Sequence, residues 1–234
     1  MIETLEILMP AHNEAKSLAK LIPEIDKNIN GKINYSIIIC EDGSTDNTLE
    51  VIENLKKVYP IKLITSKIKK GYSKAMLDGI KYSKANYLLI MDSDGQSNPI
   101  EITNFWGKRK EANLINGHRK NRKDFMYRKL YSKLALLIYK ILFNVPVKDP
   151  SYAYIMMENN VCKNLRDFNP KMPDGFFWEF NARAKRKGFT FYNLDIIHNE
   201  RYFGETRIYH WTNLPKVSYQ NLLGMIKIKF ISND

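Results

Sequence analysis

Three polar segments follow short apolar runs in the first half of the sequence. They are residues 10–14 (PAHNE), 41–46 (EDGSTD) and 92–96 (DSDGQ). The carboxyl ends of the strands in an open parallel sheet border one crevice, where ligands bind. If the apolar runs are such strands, these three segments meet at one edge. We therefore expect a ligand-binding crevice there.

Asp92 and Asp94 suggest divalent-cation chemistry. They are separated by one residue, and in an extended chain such residues point to the same side, roughly 6.6 Å apart. Mg²⁺ is typically held by one or two carboxylates together with substrate phosphates. Asp, Ser and Gly also form ordinary turns. The position directly after LLIM, with Gln96 and Pro99 beyond, favours the metal-binding interpretation.

The second polar segment, residues 41–46, allows two interpretations, a helix cap and a nucleoside-binding site. Ser44 or Thr45 is a predicted N-cap for the helix that follows, but a cap does not explain the acids before Gly43. A carboxylate such as Asp42 can accept a hydrogen bond from a nucleobase N–H or a ribose hydroxyl. Gly71 opens GYSKAMLDG, which lacks the lysine-serine ending of a Walker motif and gives only weak support to a phosphate loop.

Strand and helix patterns alternate through the first half. Apolar runs predict strands at 5–9, 35–40, 61–66, 87–91 and 113–117, and helical spacing predicts helices at 15–28, 46–59 and 73–83. This alternation is typical of a parallel sheet with right-handed crossovers. In the second half, the residue pattern predicts an amphipathic helix at 127–143, a helix at 176–187, and strands at 189–193 and 195–198. The tail, 214–230, ends either as a strand or as a membrane-surface contact.

Composition limits the compartment and the class of partner. The 37 basic and 25 acidic residues give a net charge of +12, which favours an anionic partner: nucleic acid, a membrane surface or a phosphorylated ligand. Cys40 and Cys162 stand far apart, which argues against a zinc site and a secreted disulfide scaffold. We find neither a membrane-spanning run nor a signal-peptide pattern, and expect a cytosolic location.

The motifs resemble a known family. PAHNE, IIICEDGSTDNT, KGYSKAMLDG and LIMDSDGQSNP, in this order, resemble the inverting family 2 glycosyltransferases of GT-A fold. Within that family they are most similar to the dolichyl- or polyprenyl-phosphate mannosyl- and glucosyltransferases. NGHR, MYRKLYSKLA, KDP and HNERYFGETR extend the likeness, resembling the family's GSR, its basic helix and its R-x-x-G-x-S-K loop.

The resemblance implies an α/β fold. It is an open, parallel-type, nucleotide-binding sheet flanked by helices, with a basic amphipathic helical appendage in the C-terminal half. The implied division is a glycosyltransferase domain at 1–210 and a tail at 211–234. Within the domain, 1–117 would form the donor half, and 118–210 the acceptor half with an interfacial helix.

The resemblance also implies roles for single residues. The nucleotide sugar would be bound by Pro10, His12, Glu14, Cys40, Asp42, Asp92, Ser93, Asp94, Arg201 and Arg207. Mg²⁺ or Mn²⁺ would be held by Asp92, Asp94 and Gln96. The acceptor phosphate would meet Arg119, Arg128 and Ser132. Asp94, Arg119 and Arg128 would be the catalytic residues.

The implied reaction moves a hexose from a GDP-mannose or UDP-glucose type of donor to a dolichyl or undecaprenyl phosphate. A phosphate monoester is largely dianionic at neutral pH and attacks without a strong protein base. The alternative acceptor is a hydroxyl of a glycan, a glycolipid or an envelope-polymer precursor, with Glu179 or Asp149 as the base. Its support is the segment Ser151-Tyr152-Ala153, which departs from the family's KDP-x-S-G pattern. Glu179 is equally explained as an anchor for its helix.

The basic helix leaves a further alternative open. Seven basic residues between positions 119 and 133, against Asp124 alone, lead into an apolar face. This face either lies on an anionic membrane, which predicts a peripheral protein on the cytosolic face, or packs under the sheet. A nucleic-acid-binding module lacks a reading motif here, so no nucleic-acid partner is expected. Intact Asp92, Asp94 and Gln96 argue against an inactive donor-binding subunit. The oligomeric state stays open.

Overall fold

The computed structural model describes residues 2–120, 126–172, 175–197, 202 and 214–230, without the side chains of 126–131 and 214–216. Its strands are β1 (Thr4–Ala11), β2 (Asn34–Asp42), β3 (Ile61–Ser66), β4 (Tyr87–Met91), β5 (Leu114–Arg119), β6 (Tyr154–Glu158) and β7 (Phe191–Ile196). Its helices are α1 (Ala15–Ile29), α2 (Thr48–Leu55), α3 (Tyr72–Tyr82), α4 (Glu101–Lys108), α5 (Met126–Phe143), α6 (Asn159–Leu165), α7 (Phe176–Arg186) and α8 (Leu214–Phe230).

The strands form one mixed sheet in the order β3-β2-β1-β4-β6-β5-β7. The first four strands are parallel, with β1 between β2 and β4 and with β3 at the edge. This confirms the predicted alternating α/β architecture. β6 pairs antiparallel with both β4 and β5, so the sheet continues without a break from the first half of the chain into the second.

Alternating side chains of the central strands face two separate cores. In β1, Leu5, Ile7 and Met9 pack on the α1 side, whereas Leu8 points to the α3 side. Successive side chains of a strand point to opposite faces, so a strand covered by helices on both faces must be apolar at nearly every position. This is why the strand pattern could be recognised in the sequence.

The structure departs from the sequence predictions in three respects. Where two strands were expected at 189–193 and 195–198, the described residues form a single strand, β7, which pairs in parallel with β5. The pattern did not predict β6, α4 or α6. The two helices are only eight and seven residues long, too short for a helical repeat to stand out. The tail forms α8, so the strand alternative is wrong.

Helices α5, α7 and α8 enclose a third core. Tyr139 of α5 is fully buried there, and its hydroxyl donates to the Trp178 carbonyl oxygen at 2.8 Å. Leu134, Leu137 and Ile141 of the same helix are exposed. The amphipathic helix therefore packs into the protein with one face and leaves apolar side chains in solvent on another. Among the described helices, none is both long and apolar enough to cross a membrane.

Candidate functional site

The three polar segments meet at one edge of the sheet. Because β1, β2 and β4 are neighbours and run parallel, the loops that follow them leave from the same side. The polar segments 10–14, 41–46 and 92–96 lie where these strands end and the loops begin. The structure thus brings together the segments that the sequence singled out, at the edge where open α/β sheets bind ligands.

Hydrogen bonds join the first two segments and extend to a fourth loop. His12 Nδ1 lies 3.0 Å from the Asp42 carbonyl oxygen. The Asp42 carboxylate is almost fully buried and accepts the backbone N–H groups of Lys70, at 2.7 Å, and Gly71, at 2.8 Å. Asp42 therefore fixes the loop that leads into α3 as well as bordering the crevice.

Two further hydrogen bonds complete a closed circuit of contacts around the crevice. They pass through residues 92–97, which we call the acidic turn. The Tyr72 hydroxyl, at the start of α3, donates to Asp92 Oδ1 at 2.9 Å. The Ser93 hydroxyl donates to the Pro10 carbonyl oxygen at 2.7 Å, which returns the network to the first segment. Asp94 Oδ1 accepts the backbone N–H of Gln96 at 3.0 Å. Four loops from different parts of the chain are thereby held in a fixed relative position.

Asn13 organises the crevice, although the sequence reasoning did not select it. It has a left-handed φ of 59°, and its Oδ1 accepts the backbone N–H of Thr45 at 2.8 Å. Its own N–H donates to Ser44 Oγ at 3.0 Å. The predicted capping role of Ser44 or Thr45 is wrong, because α2 begins at Thr48, and the two residues bind Asn13 instead.

Glu14 and Cys40, which were also predicted to bind the nucleotide sugar, differ in how deeply they are buried. Glu14 borders the crevice, and its carboxylate accepts the Ser17 hydroxyl at 2.7 Å. Cys40 lies in the core on the α3 side, where burial raises the pKa of its thiol to about 12. At neutral pH this thiol is protonated and packs against apolar side chains. The proposed contribution of Cys40 to the nucleoside pocket stays a prediction.

The turn after Asp94 is held from outside by Tyr202. Gly95 has a φ of +81°, and a Cβ there would lie 2.2 Å from the Tyr202 ring, so the ring packs directly on the glycine. The Tyr202 backbone N–H donates to the Asp94 carbonyl oxygen at 3.1 Å. The Tyr202 hydroxyl donates to Glu24 of α1 at 2.5 Å. The predicted ligands Arg201 and Arg207 lie outside the described residues.

The carboxylates suit a cation that is shared with a diphosphate. No group of three or more His, Cys, Asp or Glu side chains in the described part of the chain could hold a metal alone. Mg²⁺ commonly takes one or two protein carboxylates and completes its shell with phosphate oxygens and water. Asp92 and Asp94 supply two carboxylates at the crevice, and Gln96 follows on the same turn. These oxygen ligands therefore fit a nucleotide-bound Mg²⁺ or Mn²⁺.

The predicted acceptor side is organised around Arg119 at the end of β5. Its Nε and Nη2 donate to the two carboxylate oxygens of Asp149 at 2.7 and 3.0 Å, and Nη2 also donates to Ser151 Oγ at 3.0 Å. Ser132 is half-buried on α5. Arg128 belongs to the same helix, but its side chain is outside the described residues.

Glu179 anchors α7 within the protein. It is 0% exposed, receives the backbone N–H groups of Lys171 and Met172, and forms an ion pair with Arg183 at 2.9 Å. Of the two interpretations drawn from the sequence, the anchoring one is confirmed by these contacts. A general base for an incoming hydroxyl is not available at this position.

Sequence comparisons identify the family of these motifs. The model of the family described as Glycosyl transferase family 2 matches residues 6–166. A dolichol-phosphate mannosyltransferase of Pyrococcus furiosus is 29% identical over 173 residues, which cover 70% of this chain and 48% of the relative. An undecaprenyl-phosphate 4-deoxy-4-formamido-L-arabinose transferase of Shewanella sediminis is 25% identical over 235 residues, which cover 96% of this chain and 67% of the relative. The chain spans about half of the length of the first relative and about two thirds of the second.

Solved structures share the fold. Glucosyl-3-phosphoglycerate synthase of Mycobacterium tuberculosis, crystallised with Mn²⁺, UDP and glucosyl-3-phosphoglycerate, superposes with a TM-score of 0.76 at 15% identity. The match covers 99% of this chain and 82% of that one. The same enzyme crystallised with Mg²⁺ and UDP gives a TM-score of 0.76 and similar coverage. The chain thus has the GT-A fold.

Proposed function

Since the chain belongs to glycosyl transferase family 2, we propose that it moves a hexose from a nucleotide sugar to a polyprenyl phosphate, with a divalent cation bound. The closed hydrogen-bond circuit through Pro10, Asp42, Tyr72 and Asp92 carries this proposal. It brings together, on one sheet edge, the groups that nucleoside recognition and diphosphate binding require.

In the donor half of the crevice, one group of residues would recognise the nucleoside and another would bind the diphosphate. Asp42 and His12 border the side proposed for the nucleoside, while Asp92 and Asp94 would hold Mg²⁺ or Mn²⁺ on the diphosphate. When bound, the cation neutralises charge that develops on the departing nucleoside diphosphate. The hydrogen bonds to Asp92 and Asp94 fix these carboxylates before substrate arrives, so little reorganisation is needed.

A phosphate acceptor agrees with the chemistry of the second half. The Arg119 guanidinium, a planar group of the kind that suits phosphate oxygens, is held at the end of β5 by its bonds to Asp149. A lipid phosphate whose second pKa is about 6 is already a nucleophile at neutral pH. The two relatives described above are named for polyprenyl-phosphate substrates, which supports the same acceptor class.

The hydroxyl-acceptor alternative has less support. It needs a general base, and the two candidates are both bound to arginines: Asp149 to Arg119, and Glu179 to Arg183. Proton transfer requires a base within hydrogen-bond reach of the acceptor hydroxyl. The fully buried Glu179 cannot meet that condition without unfolding of its surroundings.

We further propose that α5 and α8 lie on an anionic membrane at the cytosolic face. The two helices pack together and expose apolar side chains: Leu134, Leu137 and Ile141 of α5, and Tyr219, Leu222, Leu223, Ile226 and Phe230 of α8. Neither helix contains an acidic residue, whereas α5 contains four basic residues and α8 three. Apolar contact combined with positive charge is what an interfacial helix requires.

A transfer assay with labelled donors tests the proposed reaction. UDP-glucose, UDP-N-acetylglucosamine and GDP-mannose are each supplied with Mn²⁺ and with undecaprenyl or dolichyl phosphate, and the label in the organic phase is counted. We expect one donor to label the lipid. We expect Asp94→Asn to reduce that transfer at least 100-fold, because the variant loses a carboxylate at the diphosphate. Asp167→Asn, at an exposed carboxylate outside the crevice, serves as the control.

The acceptor arms separate the alternatives. Parallel reactions replace the lipid with 3-phosphoglycerate or with a glycan. Label that reaches either of these hydroxyl acceptors but never the lipid would overturn the polyprenyl-phosphate proposal while leaving a glycosyltransferase. Full transfer by Asp94→Asn with EDTA present would contradict the metal assignment.

A further inference from the structure

Tyr152 connects the two halves of the crevice. Its side chain is 4% exposed, and its hydroxyl lies 2.8 Å from Ser97 Oγ, where either oxygen can donate. Ser97 is also buried and follows Asp94 by three residues on the acidic turn. A side chain from the segment between α5 and β6 therefore reaches the turn proposed to bind the metal.

The ring of the same tyrosine supports Arg119. The Arg119 guanidinium carbon lies 4.5 Å from the Tyr152 ring centroid. Asp149 and Ser151 hold the guanidinium edge, so the ring fixes its face while the two polar partners fix its direction. Arginine stacks well on aromatic faces because the ring quadrupole attracts the cation.

We propose that Tyr152 is a positioning residue that couples Arg119, on the acceptor side, to the metal-binding turn on the donor side. The inference rests on the proposed function. The KDP-x-S-G pattern that this segment resembles has a serine here, and a serine lacks the aromatic ring that contacts Arg119 in this chain. The departure noted in the sequence is therefore a physical link between two subsites in this chain.

The chemical state of the phenol agrees with a positioning role. Burial raises the pKa of Tyr152 well above its usual value, although Ser97 and Arg119 act in the opposite direction. The phenol is therefore protonated and uncharged at neutral pH. It orients its neighbours by a neutral hydrogen bond and by ring contact, and it takes no part in proton transfer.

The coupling predicts a measurable effect on ligand binding. Tyr152→Phe keeps the ring and removes the bond to Ser97, while Ser97→Ala removes the same bond from the other side. A neutral hydrogen bond contributes about 1 kcal/mol, which corresponds to about a fivefold change in an equilibrium constant. We expect each variant to weaken Mn²⁺ binding about fivefold in the presence of UDP or GDP, whichever binds. We expect the double variant to be no weaker than either single one.

Calorimetry of Mn²⁺ binding and steady-state kinetics provide two independent measurements. Tyr152→Phe should also raise the KM for undecaprenyl phosphate more than it lowers kcat. Tyr139→Phe is the matched control, since it removes the hydroxyl of another buried tyrosine that donates to Trp178 in a separate core. We expect this control to lower the melting temperature without changing the Mn²⁺ dissociation constant.

The outcomes distinguish this inference from the proposed function. Unchanged Mn²⁺ binding by Tyr152→Phe, an equal effect of Tyr139→Phe, or additive effects in the double variant would each overturn the coupling alone. Failure of the unmodified protein to bind Mn²⁺ with either nucleotide would overturn the proposed function together with the inference.

Discussion

At the residue scale, charged groups near the crevice are held by specific partners. Asp42 binds two backbone N–H groups, Asp92 accepts from Tyr72, and Arg119 is paired with Asp149. A side chain held in this way loses less conformational freedom when a ligand binds. The crevice is therefore pre-organised by its own hydrogen bonds.

Arg119→Lys tests the role of the guanidinium fork. Lysine keeps the positive charge but cannot make the two parallel bonds to Asp149, so the charge is no longer directed. We expect the KM for the lipid phosphate to rise about tenfold, with a smaller change in the KM for the nucleotide sugar. The melting temperature should also fall, because Asp149 loses part of its pairing.

Arg166→Lys is the control for this substitution. Arg166 is exposed and pairs with its neighbour Asp167, so the change should affect neither KM. A loss of stability in Arg119→Lys with both KM values unchanged would indicate that Arg119 only stabilises the fold.

At the scale of elements, a buried acid in β1 connects three parts of the sheet. The Glu6 carboxylate receives Lys62 Nζ of β3 at 2.5 Å, Ser83 Oγ at 2.6 Å and the backbone N–H groups of Lys84 and Ala85. It thus joins β1 to β3 and to the segment between α3 and β4. The arrangement lies outside the crevice and is structural.

Glu6→Gln should destabilise the protein by about 2 kcal/mol, because several hydrogen bonds to a charged acceptor are weakened. Burial acts to raise the pKa of Glu6, but the bonds from Lys62, Ser83 and the backbone outweigh it and lower the pKa. A lowered pKa contributes stability above the unfolded-state value of about 4.5, and this stability is lost as the pH falls.

Urea unfolding between pH 7 and pH 3 measures this effect. The stability difference between the unmodified protein and Glu6→Gln should shrink as the pH falls below about 4.5. Glu111→Gln, at an exposed glutamate, should change stability by less than about 0.5 kcal/mol at every pH. A difference that stays constant down to pH 3 would show that ionisation of Glu6 contributes nothing.

At the scale of the whole molecule, charge and exposed apolar surface coincide on α5 and α8. Ile141 is 74% exposed and Phe230 is 72% exposed, although both belong to helices that also contribute to a buried core. Contiguous exposed apolar groups on a soluble surface usually mark an interaction site. The absence of acidic residues from both helices supports the anionic lipid surface proposed above as the partner.

Vesicle sedimentation tests the membrane proposal. Each lysine near an anionic surface contributes about 1 kcal/mol, so Lys227→Gln/Lys229→Gln should weaken binding to phosphatidylglycerol vesicles at least tenfold. High salt should release the unmodified protein. Lys56→Gln/Lys57→Gln removes the same charge from exposed positions beyond α2 and should have little effect. Equal, salt-insensitive binding to neutral and anionic vesicles would contradict the electrostatic component.

The sequence by itself determined the alternating fold of the first half and the three polar segments that meet at the crevice. Strands covered on both faces must be continuously apolar, and their polar ends are therefore visible in a single sequence. The family motifs lie in these same segments.

The tertiary structure alone decided which distant groups meet. The contacts of Asn13 with Thr45, of Tyr72 with Asp92 and of Tyr152 with Ser97 join residues that are 20 to 55 positions apart. No local pattern encodes such pairs, because they follow from the order of strands in the sheet and from the insertion of the antiparallel β6. For the same reason only the fold assigned Glu179 to the core and left part of α5 exposed.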